Sequence, residues 1–226
     1  MKNLFYFLLI FSFISCNGNS ETKTAESSDL EQNSTSSKNE TVTENTSTQT
    51  NQEITELKTV EDIRAEYQSI MSKITNGKMD STSFEYSCYE ESSGKVIYFL
   101  ENGQLRMIKH DEGWEHGGVT KEYFLKDNTP FFIFDNTLAW SFDGTTMNGE
   151  SQTKDKITEK RFYIIDNQLI KCLEKEFTIR SSVKNNPTSE TVANKEVNCS
   201  DLTELMKDYE LVLKYKNQTA NMECLE

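Results

Sequence analysis

The chain has 226 residues and a formal net charge of −13, and 35% of its residues are hydrophobic. The acidic balance excludes a nucleic-acid-binding protein, which needs clustered basic residues, and it disfavours binding of the folded part to an anionic membrane surface. The low hydrophobic share comes from one polar stretch near the N-terminus. The rest of the chain is long enough to bury the core of a single globular domain.

The first sixteen residues have the pattern of an export signal. Lys2 supplies a positive charge, and the apolar run 4–14 that follows is too short to span a bilayer as a helix. The run passes into four residues that matter here: Phe13, Ile14, Ser15 and Cys16. These four resemble the lipobox of bacterial lipoproteins, although that family prefers Leu where Phe13 stands. The resemblance covers only residues 1–16.

The lipoprotein resemblance implies an address for the protein. Residues 1–15 would be a signal peptide, and Cys16 would carry lipid, including palmitate. Asn17 follows the cysteine, rather than the Asp that retains some lipoproteins in the inner membrane, and no acidic run for surface export follows directly. We therefore expect an outer-membrane lipoprotein that faces the periplasm, with surface exposure as the alternative. Each buried CH₂ of a lipid contributes about 0.8 kcal/mol, so more than one acyl chain gives durable anchoring.

The stretch 16–58 is predicted to be a disordered tether behind the lipidated cysteine. It consists almost wholly of Ser, Thr, Asn, Gln, Glu and Lys, and residues 17–58 hold eight acidic residues against three lysines. Such a segment cannot bury enough apolar surface to offset the entropy of ordering. A flexible chain of this length spans roughly 35 Å on average, which would hold a domain clear of the membrane surface.

Two stretches have the apolar periodicity of amphipathic helices. The first covers 59–77, with Thr59 as its predicted N-cap, and its apolar stripe is Ile63, Tyr67, Ile70, Met71 and Ile74. The second follows Ser200, its predicted N-cap, and its stripe is Leu202, Leu205, Met206, Tyr209, Val212 and Leu213. We expect both helices to pack on one face of a sheet, and residues 221–226 to form a frayed tail.

One phrase occurs three times between these helices: an aromatic-aliphatic run, two polar turn residues and a second apolar run. The turn residues are Asn102 with Gly103, Asp127 with Asn128, and Asp166 with Asn167. Asn, Asp and Gly tolerate the positive φ of a tight hairpin turn. The pattern predicts an α+β domain over 59–220, with an antiparallel β-meander of about eight strands that forms an open or half-barrel sheet.

The hairpin turns also predict strand register. With a two-residue turn at Asn102 and Gly103, we expect Leu100 to lie opposite Leu105 and Tyr98 opposite Met107. Pro130 opens the return strand of the second hairpin and lacks a backbone donor. That strand is therefore expected to lie at a sheet edge or to begin at a bulge.

The link between the first two hairpins holds both histidines of the chain, His110 and His116, with Trp114 between them. Three carboxylates accompany them: Asp111, Glu112 and Glu115. Metal sites use such side chains, but the spacing matches neither HExxH nor HxxEH, and no metal is predicted. Three interpretations stay open: a metal or polar-ligand site, a partner-binding loop around Trp114, and a solvated loop.

Four cysteines remain besides Cys16, and an oxidising periplasm would allow them to form disulfides. They are Cys88, Cys172, Cys199 and Cys224. Four cysteines permit three complete pairings, and spacing does not choose among them. Our preferred pair is Cys172 with Cys199, which would join a strand to the start of the second helix. The alternative for Cys88 and Cys172 is that both are small core residues.

No catalytic motif is present: GxSxG, the P-loop and GxGxxG are all absent. We therefore predict no catalytic residue and no cofactor. The favoured function is a non-enzymatic envelope lipoprotein, a tethered module that binds a partner such as another envelope protein. The alternative is a carrier or sensor that holds an apolar ligand or lipid on the sheet face. A third hypothesis is a metal-dependent hydrolase that uses the loop with His110 and His116.

Overall fold

A computed structural model describes residues 56–199 and 201–225, so the signal peptide, Cys16 and nearly all of the tether lie outside the described residues. The described chain runs from a helix through an eight-stranded sheet to a second helix. In chain order the elements are α1 (Val60–Thr75), β1 (Asp80–Cys88), β2 (Ser92–Glu101), β3 (Gln104–Trp114), β4 (Gly117–Lys126), β5 (Thr129–Thr145), β6 (Ser151–Ile165), β7 (Gln168–Arg180), a 3₁₀ turn (Ser189–Thr191), β8 (Lys195–Glu196) and α2 (Leu202–Lys214).

The strands form one antiparallel sheet in which each strand pairs with its neighbours in the chain, in the order β1 to β8. This confirms the predicted α+β class and the meander. In the described part of the chain β1 and β8 do not pair, so the sheet is open rather than closed into a barrel. β8 has two residues, and it pairs only with Leu173 and Glu174 of β7.

The three predicted turns have the backbone conformation that their residues suggested. All six turn residues have φ between 48° and 81°: Asn102, Gly103, Asp127, Asn128, Asp166 and Asn167. Consecutive positive φ values define the tight turn whose twist matches that of the flanking strands. A short polar pair is therefore enough to place each hairpin.

Each of these hairpins has one extra residue on its return strand. The extra residues are Arg106, Phe131 and Ile170, and each lies two positions beyond the first residue of its strand. Leu100 lies opposite Leu105 as predicted, but the bulge at Arg106 then places Tyr98 opposite Ile108 rather than Met107. Pro130 precedes the bulge at Phe131 in a central strand, so of the two predicted placements the bulge is found and the edge is not.

The expectation that both helices share one face of the sheet is wrong. Met107 and Ile108 are consecutive in β3 and therefore point to opposite faces. Met107 packs in a cluster with Ile70 of α1, whereas Ile108 packs in a second cluster with Val212 of α2. The strands carry large apolar side chains at consecutive positions, so each face needs its own cover. We name the two sides the α1 face and the α2 face.

The helix caps agree with the sequence for α1 and differ for α2. Thr59 caps α1 and exchanges hydrogen bonds with Asp62, as in a capping box. α2 is capped by Asp201, whose side chain accepts a hydrogen bond from the Thr203 amide at 2.9 Å; the predicted cap, Ser200, is outside the described residues. Within the described chain, neither helix has the length and apolar character needed to cross a membrane.

Residues 221–225, expected to be a frayed tail, are held against the outer edge of β1. The Met222 amide donates to the Glu85 carbonyl at 3.0 Å, and the Ser87 amide donates to the Met222 carbonyl at 3.3 Å. A disulfide between Cys88 and Cys224 lies next to this bridge, with Cα atoms 4.9 Å apart. The C-terminal segment therefore forms one isolated parallel bridge to the edge of β1.

A second disulfide joins Cys172 of β7 to Cys199, just before α2, and its Cα atoms are 5.2 Å apart. This is the pair that we preferred from the sequence. The half-cystine of β7 is 2% exposed and belongs to the cluster on the α2 face. The polar connection 181–199 is thus fastened at its end to the interior of the sheet.

Candidate binding trough

The segment that we predicted to be a loop with both histidines is a regular β-hairpin. β3 continues to Trp114, β4 starts at Gly117, and only Glu115 and His116 form the turn. Its polar residues alternate between the two faces of the strands rather than converging on one point. A high content of glycine and charge therefore indicated a loop where the chain forms strand.

His110 lies on the α2 face of β3 and is 8% exposed. Its Nε2 is 2.7 Å from the hydroxyl oxygen of Tyr86, itself a buried residue. Burial lowers the pKa of the His110 imidazole, although the carboxylate of Glu112 acts in the opposite direction. His110 is thus a core residue that Tyr86 satisfies, and it is not available to a ligand.

His116 and Trp114 lie near the other end of the hairpin, at its turn. The His116 ring packs against Trp140 with 4.6 Å between ring centres, and the Trp140 indole N–H donates to the Glu115 carbonyl at 3.0 Å. Trp114 is 42% exposed. Among the described residues, no group of three His, Cys, Asp or Glu side chains is placed to hold a metal ion. The hydrolase hypothesis therefore has no donor set in this hairpin.

An open trough of about 800 Å³ lies on the α1 face, in the half of the sheet that α1 leaves uncovered. Two complete cross-strand rows from β1 to β5 form its floor. The first row is Glu85, Lys95, Asp111, Thr120 and Asn136, and the second is Ser87, Ser93, Gly113, Gly118 and Leu138. Residues directly opposite each other point to the same face, so five strands contribute to one surface.

The polar groups of the first row are mostly paired with each other. The Lys95 ammonium is 3.1 Å from a Glu85 carboxylate oxygen, and the Thr120 hydroxyl donates to Asp111 at 2.6 Å. Asn136 differs, because its side-chain oxygen is buried and has no hydrogen-bond partner within the described chain. This oxygen is closed to a ligand, so the acceptors that the floor offers are the partly exposed carboxylates of Glu85 and Asp111.

The second row is bare because two glycines face each other in it. A Cβ added to Gly113 would meet only the Gly117 carbonyl oxygen, at 4.0 Å, so the space above Gly113 is open. A Cβ on Gly118 would lie 2.8 Å from the Glu112 carbonyl oxygen, closer than real structures allow. The sequence contained a signal for this row. If Glu115 and His116 form a two-residue hairpin turn, Gly113 and Gly118 must lie opposite each other.

Glu122 marks the boundary between the trough and the part of the α1 face that α1 covers. It is half-buried between Lys109 and Phe134 in the row beside Asp111 and Thr120. Burial raises the pKa of its carboxyl group, which nearby Lys109 lowers and Asp111 raises. No hydrogen bond or ion pair to another described residue compensates this burial.

Two edges of the trough lie beyond its polar residues. Asn221 and Met222 of the C-terminal segment border it beyond β1, and Leu138 is its apolar residue on β5. Trp140 and then Phe142, which is 66% exposed, follow Leu138 on the same face of β5 but do not line the trough. The trough thus combines a polar, bare floor with the apolar side chains of Met222 and Leu138 at its edges.

No family of known proteins, no curated protein and no solved structure matches this chain. The function of the trough therefore has to be argued from its own geometry and chemistry.

Proposed function

We propose that this protein is a non-enzymatic binding module of the bacterial cell envelope and that the trough is its ligand site. One observation carries the proposal: two complete side-chain rows across five strands stay uncovered on the α1 face, beside the part of the same face that packs against α1. A volume of about 800 Å³ lies within the range of ligand sites, roughly 300–1,000 Å³.

The charges and hydrogen-bonding groups of the trough floor indicate the class of ligand. Lys95 is the one cation among the lining residues, and its ammonium is paired with Glu85, so nothing there favours an anion. The carboxylates of Glu85 and Asp111 accept hydrogen bonds from donors, and the bare backbone at Gly113 admits a flat group. An open trough suits an extended chain better than a compact molecule. An uncharged polysaccharide meets these conditions, since its hydroxyls donate and its ring faces are partly apolar.

The same observations rank the apolar-ligand carrier below this proposal. The first row of the floor consists of charged and polar side chains, and covering them with hydrocarbon would remove water without replacing its hydrogen bonds. Most phenylalanines and tyrosines of the sheet lie within the packed clusters, and Tyr86 is the one aromatic residue among the described residues that line the trough.

The envelope location rests on the residues that lead to the domain. Cys16 in a lipobox-like segment would supply the anchor, and the polar stretch 17–58 would supply the reach. Replacing Cys16 by Ser should move the protein from the membrane to the soluble fraction of the producing bacterium. Unchanged fractionation of Cys16→Ser would refute lipid anchoring and leave the trough proposal to its own test.

The trough is tested by filling it. Gly113→Leu places a side chain in open space over the floor, whereas Ala139→Leu adds the same bulk at an exposed position on the opposite face. We expect wild type and Ala139→Leu to bind soluble uncharged envelope polysaccharide from the producing bacterium, and Gly113→Leu to lose that binding. The proposal fails if wild type does not bind this polymer, or if Gly113→Leu binds as well as wild type.

A further inference from the structure

A second, smaller cavity lies between α1 and the sheet and shares no lining residue with the trough. This slot has a volume of about 190 Å³. Its lining residues are Ile63, Arg64, Tyr67 and Gln68 from α1, Phe132 and Phe134 from β5, and Arg161 and Tyr163 from β6. For comparison, an apolar cavity of about 150 Å³ holds one benzene molecule.

Aromatic rings form the inner walls of the slot. Tyr67 meets Phe132 edge-on with 5.4 Å between ring centres, and Phe132 lies 5.0 Å from Tyr163. The guanidinium of Arg161 lies over the Phe134 ring at 4.8 Å and closes one side. Rings at these separations are in direct contact with each other, so a ligand ring would pack against them in the cavity and not between them.

The polar groups at the slot are donors. Arg161 is already held by Glu159 at 2.7 Å and by Asn194 at 2.9 Å. Arg64 lies 5.7 Å from the centre of the Tyr163 ring, and its ion pair is a solvent-exposed contact with Glu61 at 3.6 Å. Exposed pairs of this kind are weak, so Arg64 can exchange Glu61 for another carboxylate.

No acidic residue is among the eight that line the slot. The nearby Glu159 is neutralised by both Arg161 and Lys175. Glu122 lies opposite Phe134 on the neighbouring strand, and it raises the pKa of the Tyr67 phenol together with burial, which is the larger influence. Gln68 adds an amide one helical turn after Arg64, on the same side of α1.

We propose that the slot binds a small carboxylate anion with a planar apolar body, such as an arylacetate. The ring lies among Tyr67, Phe132 and Tyr163, and the carboxylate takes a forked pair of hydrogen bonds from the Arg64 guanidinium. The site is independent of the trough, because the two cavities have different walls and different chemistry.

The test compares three probes by NMR titration of the full domain. Phenylacetate has both the ring and the charge, 2-phenylacetamide has the ring without the charge, and acetate has the charge without the ring. We expect phenylacetate to give saturable shifts at the amides of Tyr67 and Gln68 and to bind about tenfold or more tightly than either other probe. Absence of saturable shifts, or equal binding of 2-phenylacetamide or acetate, overturns the proposal.

Two charge-removing variants test whether phenylacetate binding depends on Arg64 itself or only on the overall charge of the protein. Arg64→Gln should weaken phenylacetate binding about tenfold or more without changing the thermal unfolding midpoint, since Arg64 is exposed on α1. Lys184→Gln removes the same charge from an exposed loop residue and should bind like wild type. Equal losses in both variants, or none in Arg64→Gln, would contradict the assignment. Gly113→Leu should retain phenylacetate binding even where it abolishes polysaccharide binding.

Discussion

The two halves of the α1 face share several strands but differ in burial: one half is packed under α1, and the other is the open floor of the trough. In β4, Phe124 is fully buried beneath α1, whereas Thr120, four residues earlier on the same face, lines the trough. In β5, Phe132 and Asn136 show the same change. The difference follows from the path of α1, which crosses the strands: Arg64 lies near Tyr163 of β6, and Lys73 pairs with Glu101 of β2. The strand segments beneath the helix carry aromatic residues, and beyond it the same strands carry polar residues and glycine.

This comparison assigns stability to the covered half, and the proposed function assigns binding to the trough half. The covered half removes several aromatic rings from water, and each buried ring contributes a few kcal/mol. The trough half consists of paired polar groups and bare backbone, which contribute little net stability. Substitutions in the two halves should therefore separate in their effects on unfolding.

The largest effect is expected for Phe124→Ala. This ring is fully buried, 4.8 Å from Tyr67 and 5.7 Å from Phe132, so its removal should lower the free energy of unfolding by about 3–5 kcal/mol. Urea unfolding followed by circular dichroism measures the loss. Thr120→Ala, in the trough half of the same strand, should cost about 1 kcal/mol or less. Similar losses in both variants would contradict the division of the face.

Removing the disulfide between Cys88 and Cys224 is the next test, because it acts on the edge of the trough. The bond links residues 136 positions apart, and replacing both cysteines by Ser should cost about 2–4 kcal/mol. Hydrogen exchange of the Ser87 amide should accelerate, since that amide donates to Met222 in the released segment.

The control for this change is the other disulfide. Replacing Cys172 and Cys199 by Ser should also destabilise the domain, but Ser87 should lose protection only as far as global stability falls. If the Ser87 amide keeps its protection without the bond at Cys88, the segment 221–225 is held by its backbone pairing alone.

A smaller effect on the free energy of unfolding, whose size depends on pH, is expected for substitution of the boundary residue Glu122. Burial raises the pKa of this carboxyl in the folded state, so its contribution to stability is present below the unfolded pKa of about 4.3 and is lost as pH rises through the folded pKa. At pH 7, Glu122→Gln should therefore be more stable than wild type by on the order of 1 kcal/mol.

The stability gain of Glu122→Gln should shrink towards zero near pH 4, where the carboxyl of wild type is protonated as well. Urea unfolding at both pH values measures it. Glu85→Gln is the matched control, because Glu85 is exposed and paired with Lys95, and it should show no gain at pH 7. A less stable Glu122→Gln at pH 7 would be inconsistent with an uncompensated buried carboxylate.

The smallest effect is expected for Gly113→Ala. Open space above Gly113 accommodates a methyl group, so the free energy of unfolding should change by no more than about 0.5 kcal/mol. Gly118→Ala is the counterpart across the hairpin and should be clearly destabilising, because its Cβ would lie 2.8 Å from the Glu112 carbonyl oxygen. Thermal unfolding distinguishes the two, and an equal shift in both midpoints would contradict the described floor.

Local chemistry made part of this fold predictable. The turn at Asn102 and Gly103 followed from the conformations that these two residues tolerate, and α1 followed from its cap and its apolar spacing. The side of the sheet on which each helix packs did not follow. Tyr123 and Phe124 are both apolar and both buried, so the alternation that normally separates core from solvent was absent.

The trough was beyond the reach of local patterns for a different reason. Arg106, Phe131 and Ile170 are the bulge residues, and they share no residue type that would mark the extra position. A one-residue error in register moves every later side chain to the other face. Residues that meet across five strands therefore could not be grouped from the sequence, whereas the pair Gly113 and Gly118 could have been found by treating the segment as a hairpin.

The three equivalent bulges give the sheet a regular internal spacing. Phe99, Phe124 and Tyr163 occupy the same place in successive hairpins and lie in one row across the sheet. The β5–β6 hairpin is nevertheless much longer than the β3–β4 hairpin, and its far end carries Met147 fully exposed to solvent. Residues added at the far end of the β5–β6 hairpin do not change the pairing near the bulges. That pairing is set by the turns that join β4 to β5 and β6 to β7. The end of the β5–β6 hairpin can thus be lengthened or shortened without a change in the packed core of the sheet.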